Sequence, residues 1–469
     1  MTRVEPARVH ELVAAFREAF GGDADVSSDP AVLEPYGRDE SDLGTFLPHA
    51  LIRATSTAQV SKVLALGSAL SVPVTPVGAR SGKSGGSLPV HGGVSLSLER
   101  MNRVLEVNPA DLLMVVQPGV FTQQVDELAA THGLFYPPDP NSAGYCTLGG
   151  NVAENAGGPR ALKYGVTRDY VLGLEWVLPT GEVLRVGRRT SKGVAGYDLV
   201  GLFVGSEGTL GVATEITLKL IPRPRVVRTA LIPFRNVSQA AEAITEVLTS
   251  GLWPRTLELL DDVALQAIAG RGLPVPAAAG AVIIAEVDGA QDDAVLADLA
   301  SLVERCAGRG SLEAQVAQDE AQRERLWSVR REVSPALRSL GGRKISEDVV
   351  VPRSKVPQAI ERFKAAGARA GLVVATYGHA GDGNLHTNVL YRDRTDWPRV
   401  EAVLAELMAV TVELGGTITG EHGVGLAKQR FLALEQAPAL IDLQRRLRVF
   451  FDPAVMMNPG KVLPDPVKG

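Results

Sequence analysis

Four segments between residues 76 and 212 are nearly free of bulky side chains, and they constrain this chain more than any other feature. They are Pro76-Val-Gly-Ala-Arg-Ser-Gly-Lys-Ser-Gly-Gly86, the stretch 137–158 with Thr147-Leu-Gly-Gly-Asn-Val-Ala-Glu-Asn-Ala-Gly-Gly158, Lys163-Tyr-Gly-Val-Thr-Arg-Asp-Tyr170, and Gly205-Ser-Glu-Gly-Thr-Leu-Gly-Val212. Glycine supplies 49 of the 469 residues, and a backbone without Cβ can turn tightly or approach a ligand closely. One such loop is ordinary turn chemistry. Four in one region imply a long groove in which main chain touches a large ligand along its length.

The first loop ends in Gly82-Lys83-Ser84, which invites a P-loop reading. That motif needs four residues between its first glycine and Gly-Lys; Gly78 to Gly82 leaves three, and the spacing excludes it. No Gly-x-Gly-x-x-Gly opens a βαβ unit, so a Rossmann site is excluded as well. Consecutive N–H groups among small residues still form an anion-binding concavity, to which Arg80 or Lys83 can add charge.

The composition removes other classes. Apolar residues make up 45% and charged residues 22%, a globular mixture. Lys+Arg 48 against Asp+Glu 53 gives a net charge of −5, with no nucleic-acid footprint. Cys146 and Cys306 are too few for a disulfide framework and suit a reducing, cytoplasmic compartment. The opening residues do not read as a secretory signal. The best apolar run, 277–287, carries Glu286 and is shorter than the roughly 20 residues a membrane span needs, so any membrane association is expected to be peripheral.

Hydrophobic spacing predicts helices over 6–20, 57–70, 122–132, 237–248 and 292–306. Strands are expected at 50–54, 72–77, 94–98, 112–117, 211–220, 281–287 and 371–377, with a hairpin 170–178/182–186 through Pro179-Thr-Gly181. The stretch 137–158 reads as a long loop. Ile221-Pro-Arg-Pro224 marks a boundary, after which helices alternate with strands in an α+β pattern. From 416 the tail is helical as far as Phe451-Asp-Pro453, then irregular.

A second constellation lies near the C-terminus. His379 ends a strand, Ala380-Gly-Asp-Gly383 turns, and His386 and Asn388 share a face of the return strand because they are two residues apart. Glu421 and His422 follow between glycines. Two imidazoles and a carboxylate make a catalytic divalent-metal site with open positions; Asp382 competes as a ligand, although Asp-Gly is also turn chemistry. Arg330 and Ser334, at i and i+4, share a helix face.

At the glycine loops the sequence resembles the vanillyl-alcohol oxidase/p-cresol methylhydroxylase class of FAD enzymes. The order Pro-Val-x-Pro-x-Gly-x-x-Ser-Gly, Thr-Leu-Gly-Gly-Asn, Tyr-Gly-x-x-x-Asp, Gly-Ser-Glu-Gly-Thr-Leu-Gly carries the likeness. It implies an α+β fold: a two-subdomain FAD-binding domain over 1–225, an α+β substrate (cap) domain with an antiparallel sheet over 226–415, and a segment 416–469 returning to the flavin. The resemblance gives the pyrophosphate to Pro76, Val77, Gly78, Ala79, Arg80, Ser81, Gly82, Ser84 and Gly85. It places Pro140, Asn141, Ser142, Thr147, Gly149, Gly150, Asn151, Asn155, Gly157 and Gly158 along the rest of the cofactor. Tyr164, Gly165, Glu207, Gly208, Gly211 and Val212 join them, with Asn458 and Lys461 of the tail nearby. Ser81-Gly82-Lys83 stands where many relatives have Thr-Gly-Leu, which leaves the role of Lys83 open. Members that bind FAD covalently use a His of the first loop or a Cys of the second. The first loop here has no His, and Cys146 directly precedes Thr147, so the flavin is expected to be non-covalent and Cys146 a packing residue.

Gly378-His-Ala-Gly-Asp-Gly-Asn-Leu-His386 and Gly420-Glu-His-Gly423 further resemble the FAD-linked 2-hydroxy-acid dehydrogenases: D-lactate dehydrogenase, glycolate oxidase flavoprotein subunit and D-2-hydroxyglutarate dehydrogenase. In that family the residues matching His379, His386 and Glu421 bind zinc or manganese, and the one matching His422 is the base. Arg330, Ser334, Lys344 and Asn388 match residues that contact substrate. The implied activity is oxidation of a D-2-hydroxy acid to the 2-oxo acid. An aryl-alcohol or sugar oxidase, or a non-catalytic subunit of a respiratory complex, is the alternative. The electron acceptor is left open among an electron-transfer flavoprotein, a cytochrome, a quinone and an iron–sulfur subunit. A homodimer is a further expectation.

Overall fold

A computed structural model describes residues 4–464; Met1–Arg3 and the last five residues of the expected terminal segments lie outside them. Internal contacts divide the chain into two units: Met1–Gly157 with Val166–Arg223 and Glu421–Gly469, and Gly158–Gly165 with Pro224–Gly420.

In the first unit, Pro6–Phe20 forms a helix that buries Val9, Leu12, Val13 and Phe16, the stripe its spacing predicts. Thr57–Leu70 is a second helix, opened by Ser56, whose side chain accepts the N–H of Gln59. It crosses between Ala50–Arg53 and Val74–Val77, which both pair in parallel with Val94–Ser97; Val26–Ser27 adds an antiparallel edge. A five-stranded antiparallel sheet follows, in the order Val104–Asn108, Leu113–Val116, Val212–Lys219, Val171–Val177, Val183–Gly187. The strand Val171–Val177 is buried throughout, and its Trp176 stacks on Phe203 with ring centroids 4.6 Å apart.

The stretch expected to be a loop contains a helix, Leu148–Glu154. Gly149 and Gly150 depress helix propensity and hide it from the sequence. It ends at Asn155 in the left-handed region (φ 56°), where the Asn155 N–H bonds Asn151 O. Gly149 has a packing reason: a Cβ there would stand 2.7 Å from Pro118 Cβ.

The second unit is built on a seven-stranded antiparallel sheet, ordered Gln315–Val316, Val226–Phe234, Ala281–Gly289, Thr256–Asp261, Val373–Gly378, Asn384–Tyr391, Arg343–Val350. The last two strands pair without a slip from Arg343↔Tyr391 to Val350↔Asn384. Helices Val237–Thr249, Asp292–Gly308, Glu320–Ala336, Val356–Arg369 and Trp397–Glu413 bury apolar stripes within this unit. The excursion Gly158–Gly165 joins it through Asp288, which accepts from Lys163 Nζ and, at 2.8 Å, from Tyr164 OH. Among the described residues, no helix is long and apolar enough to cross a membrane.

Candidate active site

The central strands of the second unit carry a buried polar cluster. Glu258, in the middle of Thr256–Asp261, has no solvent exposure. One of its oxygens accepts Arg330 Nε–H at 2.7 Å and the other lies 2.5 Å from His379 Nδ1. Burial pushes the Glu258 carboxyl up, but His379 and then Arg330 outweigh it and hold the group down at about 2. Nδ1 thereby serves the carboxylate, and Nε2 of His379 is turned toward His386.

The turn after Val373–Gly378 delivers His379. Gly383 (φ 86°) packs so tightly that a Cβ there would reach 2.0 Å from Val351 O, so only glycine closes this turn. On the return strand His386 lies opposite Tyr377 and Asp348. The two imidazoles meet edge to face, Nε2 to Nε2 at 3.4 Å. Asp348, fully buried, accepts the N–H of Gly420 at 2.8 Å and the hydroxyl of Thr419 at 3.2 Å. The next residue along the chain is Glu421. Ligand atoms of His379, His386 and Glu421 all lie within 4.8 Å of one another. His422 Nε2 stands 3.9 Å from Glu421 Oε1.

The residues expected to meet substrate fall beside this group. Lys344 Nζ donates to Ser334 Oγ at 2.7 Å and to Asn388 Oδ1 at 3.3 Å; Asn388 Nδ2 donates to His386 O at 3.0 Å. The Arg330 guanidinium lies 4.5 Å over the Tyr377 ring, and its Nη2 is buried with no hydrogen-bond partner. Lys344, Ser334 and Asn388 therefore form one hydrogen-bonded group, with Arg330 one helical turn before Ser334. The sequence reading missed Glu258 and Asp348. The available signal was an acid inside an otherwise buried strand, where an unpaired charge is prohibitively costly.

In the first unit the glycine loops converge. A Cβ on Gly78 would stand 2.5 Å from Thr147 Oγ1, and one on Gly208 would stand 2.7 Å from Pro76 Cγ. Glu207 accepts the N–H groups of Val424 (2.8 Å) and Gly425 (2.7 Å), which ties the fourth loop to the tail; burial pushes its carboxyl up. Asn458 Nδ2 donates to Gly86 O and Glu207 O, both at 2.9 Å. Lys461 Nζ, fully buried, donates to Leu88 O at 2.6 Å and Asn458 Oδ1 at 2.7 Å. Arg80 adopts φ 60° and lies 4.4 Å over the Tyr36 ring.

Buried polar atoms lacking a hydrogen-bond partner gather on these same loops: Arg80 Nη1, Ser84 Oγ, Thr147 Oγ1 and Ser206 Oγ. Buried donors of this kind need partners, and a dinucleotide's phosphates and ring edges supply them, so the loops fit such a ligand. Lys83, by contrast, pairs with Glu40 at 3.9 Å near the surface. Cys146 is buried with Sγ 3.2 Å from Thr122 Oγ1. Gly158, Tyr164 and Gly165, expected along the cofactor, cluster with the second unit.

Comparison with known proteins identifies two families along the chain. Residues 48–187 match the FAD binding domain family, and residues 223–462 match FAD linked oxidases, C-terminal domain. Glycolate oxidase subunit GlcD of Bacillus subtilis is 40% identical over 430 residues, covering 91% of each chain. D-lactate dehydrogenase of Anaerostipes hadrus is 35% identical, covering 96% of this chain and 97% of its own. Among solved structures, p-cresol methylhydroxylase with substrate bound superposes with a TM-score of 0.81 at 18% identity, over 98% of this chain and 97% of that one. The chain thus belongs to the FAD-linked oxidases, as an oxidoreductase of the glycolate oxidase GlcD and D-lactate dehydrogenase type on a p-cresol methylhydroxylase fold.

Proposed function

We propose that the chain oxidises a D-2-hydroxy acid of the lactate, glycolate or 2-hydroxyglutarate class to the 2-oxo acid. Non-covalently bound FAD would supply the hydride acceptor, and a divalent cation, Zn²⁺ or Mn²⁺, would make the substrate hydroxyl more acidic. His379, His386 and Glu421 would hold the cation. Arg330 would receive the substrate carboxylate through its unpartnered Nη2, with Lys344 held in place by Ser334 and Asn388. His422 would take the hydroxyl proton, a task suited to an imidazole.

The observation that carries this reading is the 3.4 Å approach of the two Nε2 atoms. With His379 Nδ1 committed to Glu258, its Nε2 presents a lone pair. A second imidazole nitrogen at that distance needs a proton or a cation between the two, and Glu421 adds an anionic oxygen suited to the cation. The non-covalent flavin rests on the absence of His from the first loop and on the packed, buried position of Cys146.

The test is reduction of an artificial dye across a panel of D- and L-2-hydroxy acids. D-acids should be preferred, chelation should abolish turnover, and added Zn²⁺ or Mn²⁺ should restore it. His422→Ala should retain flavin and lose turnover. Full activity in verified metal-free protein would remove the cation from the scheme. The electron acceptor is one of the redox carriers that such a flavoprotein can reduce, and a screen with candidate carriers in place of the dye identifies it.

A further inference from the structure

In the turn Glu421-His-Gly-Val-Gly425 the His422 side chain stays 16% exposed, while Val424 and Gly425 are buried. What lies beneath them is a carboxylate. Glu207 places one oxygen on the Val424 N–H at 2.8 Å and the other on the Gly425 N–H at 2.7 Å. Gly423 (φ 81°) packs on the same side chain: a Cβ there would stand 2.9 Å from Glu207 Cδ and 2.1 Å from Glu154 Oε2. Only glycine allows the chain so close to two carboxylates directly after His422. Ser84 O accepts the N–H groups of Leu426 (2.8 Å) and Ala427 (3.0 Å). The segment that carries His422 therefore rests on three of the glycine-rich stretches, through Ser84 of the first, Glu154 of the second and Glu207 of the fourth.

Every polar group of Glu207 is engaged within the chain. Its N–H donates to Ala153 O at 2.8 Å, its carbonyl accepts from Asn458 Nδ2 at 2.9 Å, and each carboxylate oxygen takes one N–H of the turn. In this it differs from its neighbour Ser206 and from Ser84 and Thr147, whose hydroxyl oxygens are buried with no hydrogen-bond partner. Those three have an atom to offer a ligand. Glu207 also adopts φ 53°, in the left-handed region. A side chain with a Cβ is held there only where its surroundings over-determine it, and such positions gather at active sites.

We propose that Glu207 is a positioning residue for His422 rather than a ligand of the cofactor. Its carboxylate fixes the backbone two and three residues beyond the imidazole, from within the loops that cradle the flavin. This role rests on the reading of His422 as the base. Gln is the informative replacement, because it keeps the shape yet sets an Nε2–H against one of the two N–H groups, donor against donor.

Glu207→Gln in the flavin-loaded full chain tests this in two ways, one of which needs no turnover. Hydrogen exchange read by mass spectrometry should show the peptide containing Val424 and Gly425 exchanging at least about tenfold faster than in the wild type. Anaerobic reduction of the bound flavin by saturating D-2-hydroxy acid should slow about tenfold to a hundredfold, while the half-saturating acid concentration and FAD affinity each change less than about threefold. In a His422→Ala background the same substitution should slow reduction by less than about twofold more, because the group it positions is gone. Equal slowing in both backgrounds overturns the proposal, as does unchanged exchange or an unchanged reduction rate. Release of FAD from a folded variant overturns it too, by giving the carboxylate to the cofactor. Should Glu207→Gln not fold, Glu207→Asp, which draws both oxygens back by one methylene, is held to the same order of effects and the same overturning results. His422→Ala that reduces flavin at the wild-type rate would instead overturn the reading of His422 as the base, a failure confined to that arm and so distinct from the others.

Discussion

Glu258 Oε1 lies 2.5 Å from Nδ1 of His379, so a carboxylate with no exposure determines which imidazole nitrogen faces His386. Glu258 also neutralises buried Arg330. Glu258→Gln keeps the shape but removes the charge from both partners. Breaking a buried pair from one side costs about 3–5 kcal/mol, and urea unfolding should show a loss of that order. Cation affinity should weaken about tenfold to a hundredfold, as expected when the group orienting a ligand is lost. A variant with wild-type stability and metal content would show that the carboxylate holds neither residue.

Arg330 offers a separable test, because its Nε serves Glu258 while its Nη2 has no partner. Arg330→Lys preserves a positive charge for Glu258 but cannot present a second nitrogen to a substrate carboxylate. A charge-assisted hydrogen bond contributes about 1.5–3 kcal/mol, so KM for the 2-hydroxy acid should rise roughly tenfold to a hundredfold, with kcat little changed. A fall in kcat at constant KM would mean that Arg330 acts only through Glu258 and His379.

How much of this was legible in the sequence depended on the distance along the chain between partners. His379, His386 and Asn388 could be read because a glycine turn and a two-residue spacing are local rules, and Glu421 and His422 stood out between glycines. The loops of the flavin domain were legible because their composition is extreme over short stretches. Glu258 was not: Thr256-Leu-Glu-Leu-Leu-Asp261 contains no local motif, and its partners are 72 and 121 residues away. The helix Leu148–Glu154 was hidden because its glycines, present for close packing on Pro118, carry the signature of a loop. The excursion Gly158–Gly165 was equally hidden, since only the fold brings Lys163 and Tyr164 to Asp288.

Two glycines of the first loop make opposite predictions. A Cβ at Gly78 would meet Thr147 Oγ1 at 2.5 Å, so Gly78→Ala must push apart the first and second loops. Gly82 has nothing within 4 Å and no positive φ, so Gly82→Ala fits as it stands. Overpacking of this kind costs typically about 1–3 kcal/mol. Purified Gly78→Ala should bind FAD at least about tenfold more weakly and unfold at lower urea than the wild type, whereas Gly82→Ala should match the wild type in urea unfolding. The readouts are flavin absorbance per chain after dialysis and the urea midpoint. Full flavin retention by Gly78→Ala would show that the two loops do not share the cofactor.

Lys461 ties the tail to the first loop by donating to Leu88 O and Asn458 Oδ1, and Asn458 in turn donates to Gly86 O and Glu207 O. Burial pushes the Lys461 ammonium down to about 7, against the opposing pull of Asp39, Glu207 and Glu154. Arg448 adds to the depression. Two donated bonds are all that a neutral amine can make, so the network survives loss of the third proton. The unfolded chain returns this lysine to its ordinary value of 10.5. Between the two values the unfolded state binds more protons than the folded state. The free energy of unfolding therefore rises with pH across that window, by up to about 1.4 kcal/mol per pH unit from this group alone. Lys461→Met removes the proton and the pH-dependent contribution together. Urea unfolding from neutral pH to about pH 9 should then show the wild type gaining stability relative to Lys461→Met as pH rises. A difference independent of pH would mean that Lys461 keeps its charge in the folded protein, with the ammonium paired to Asp39 or Glu207 strongly enough to offset its burial.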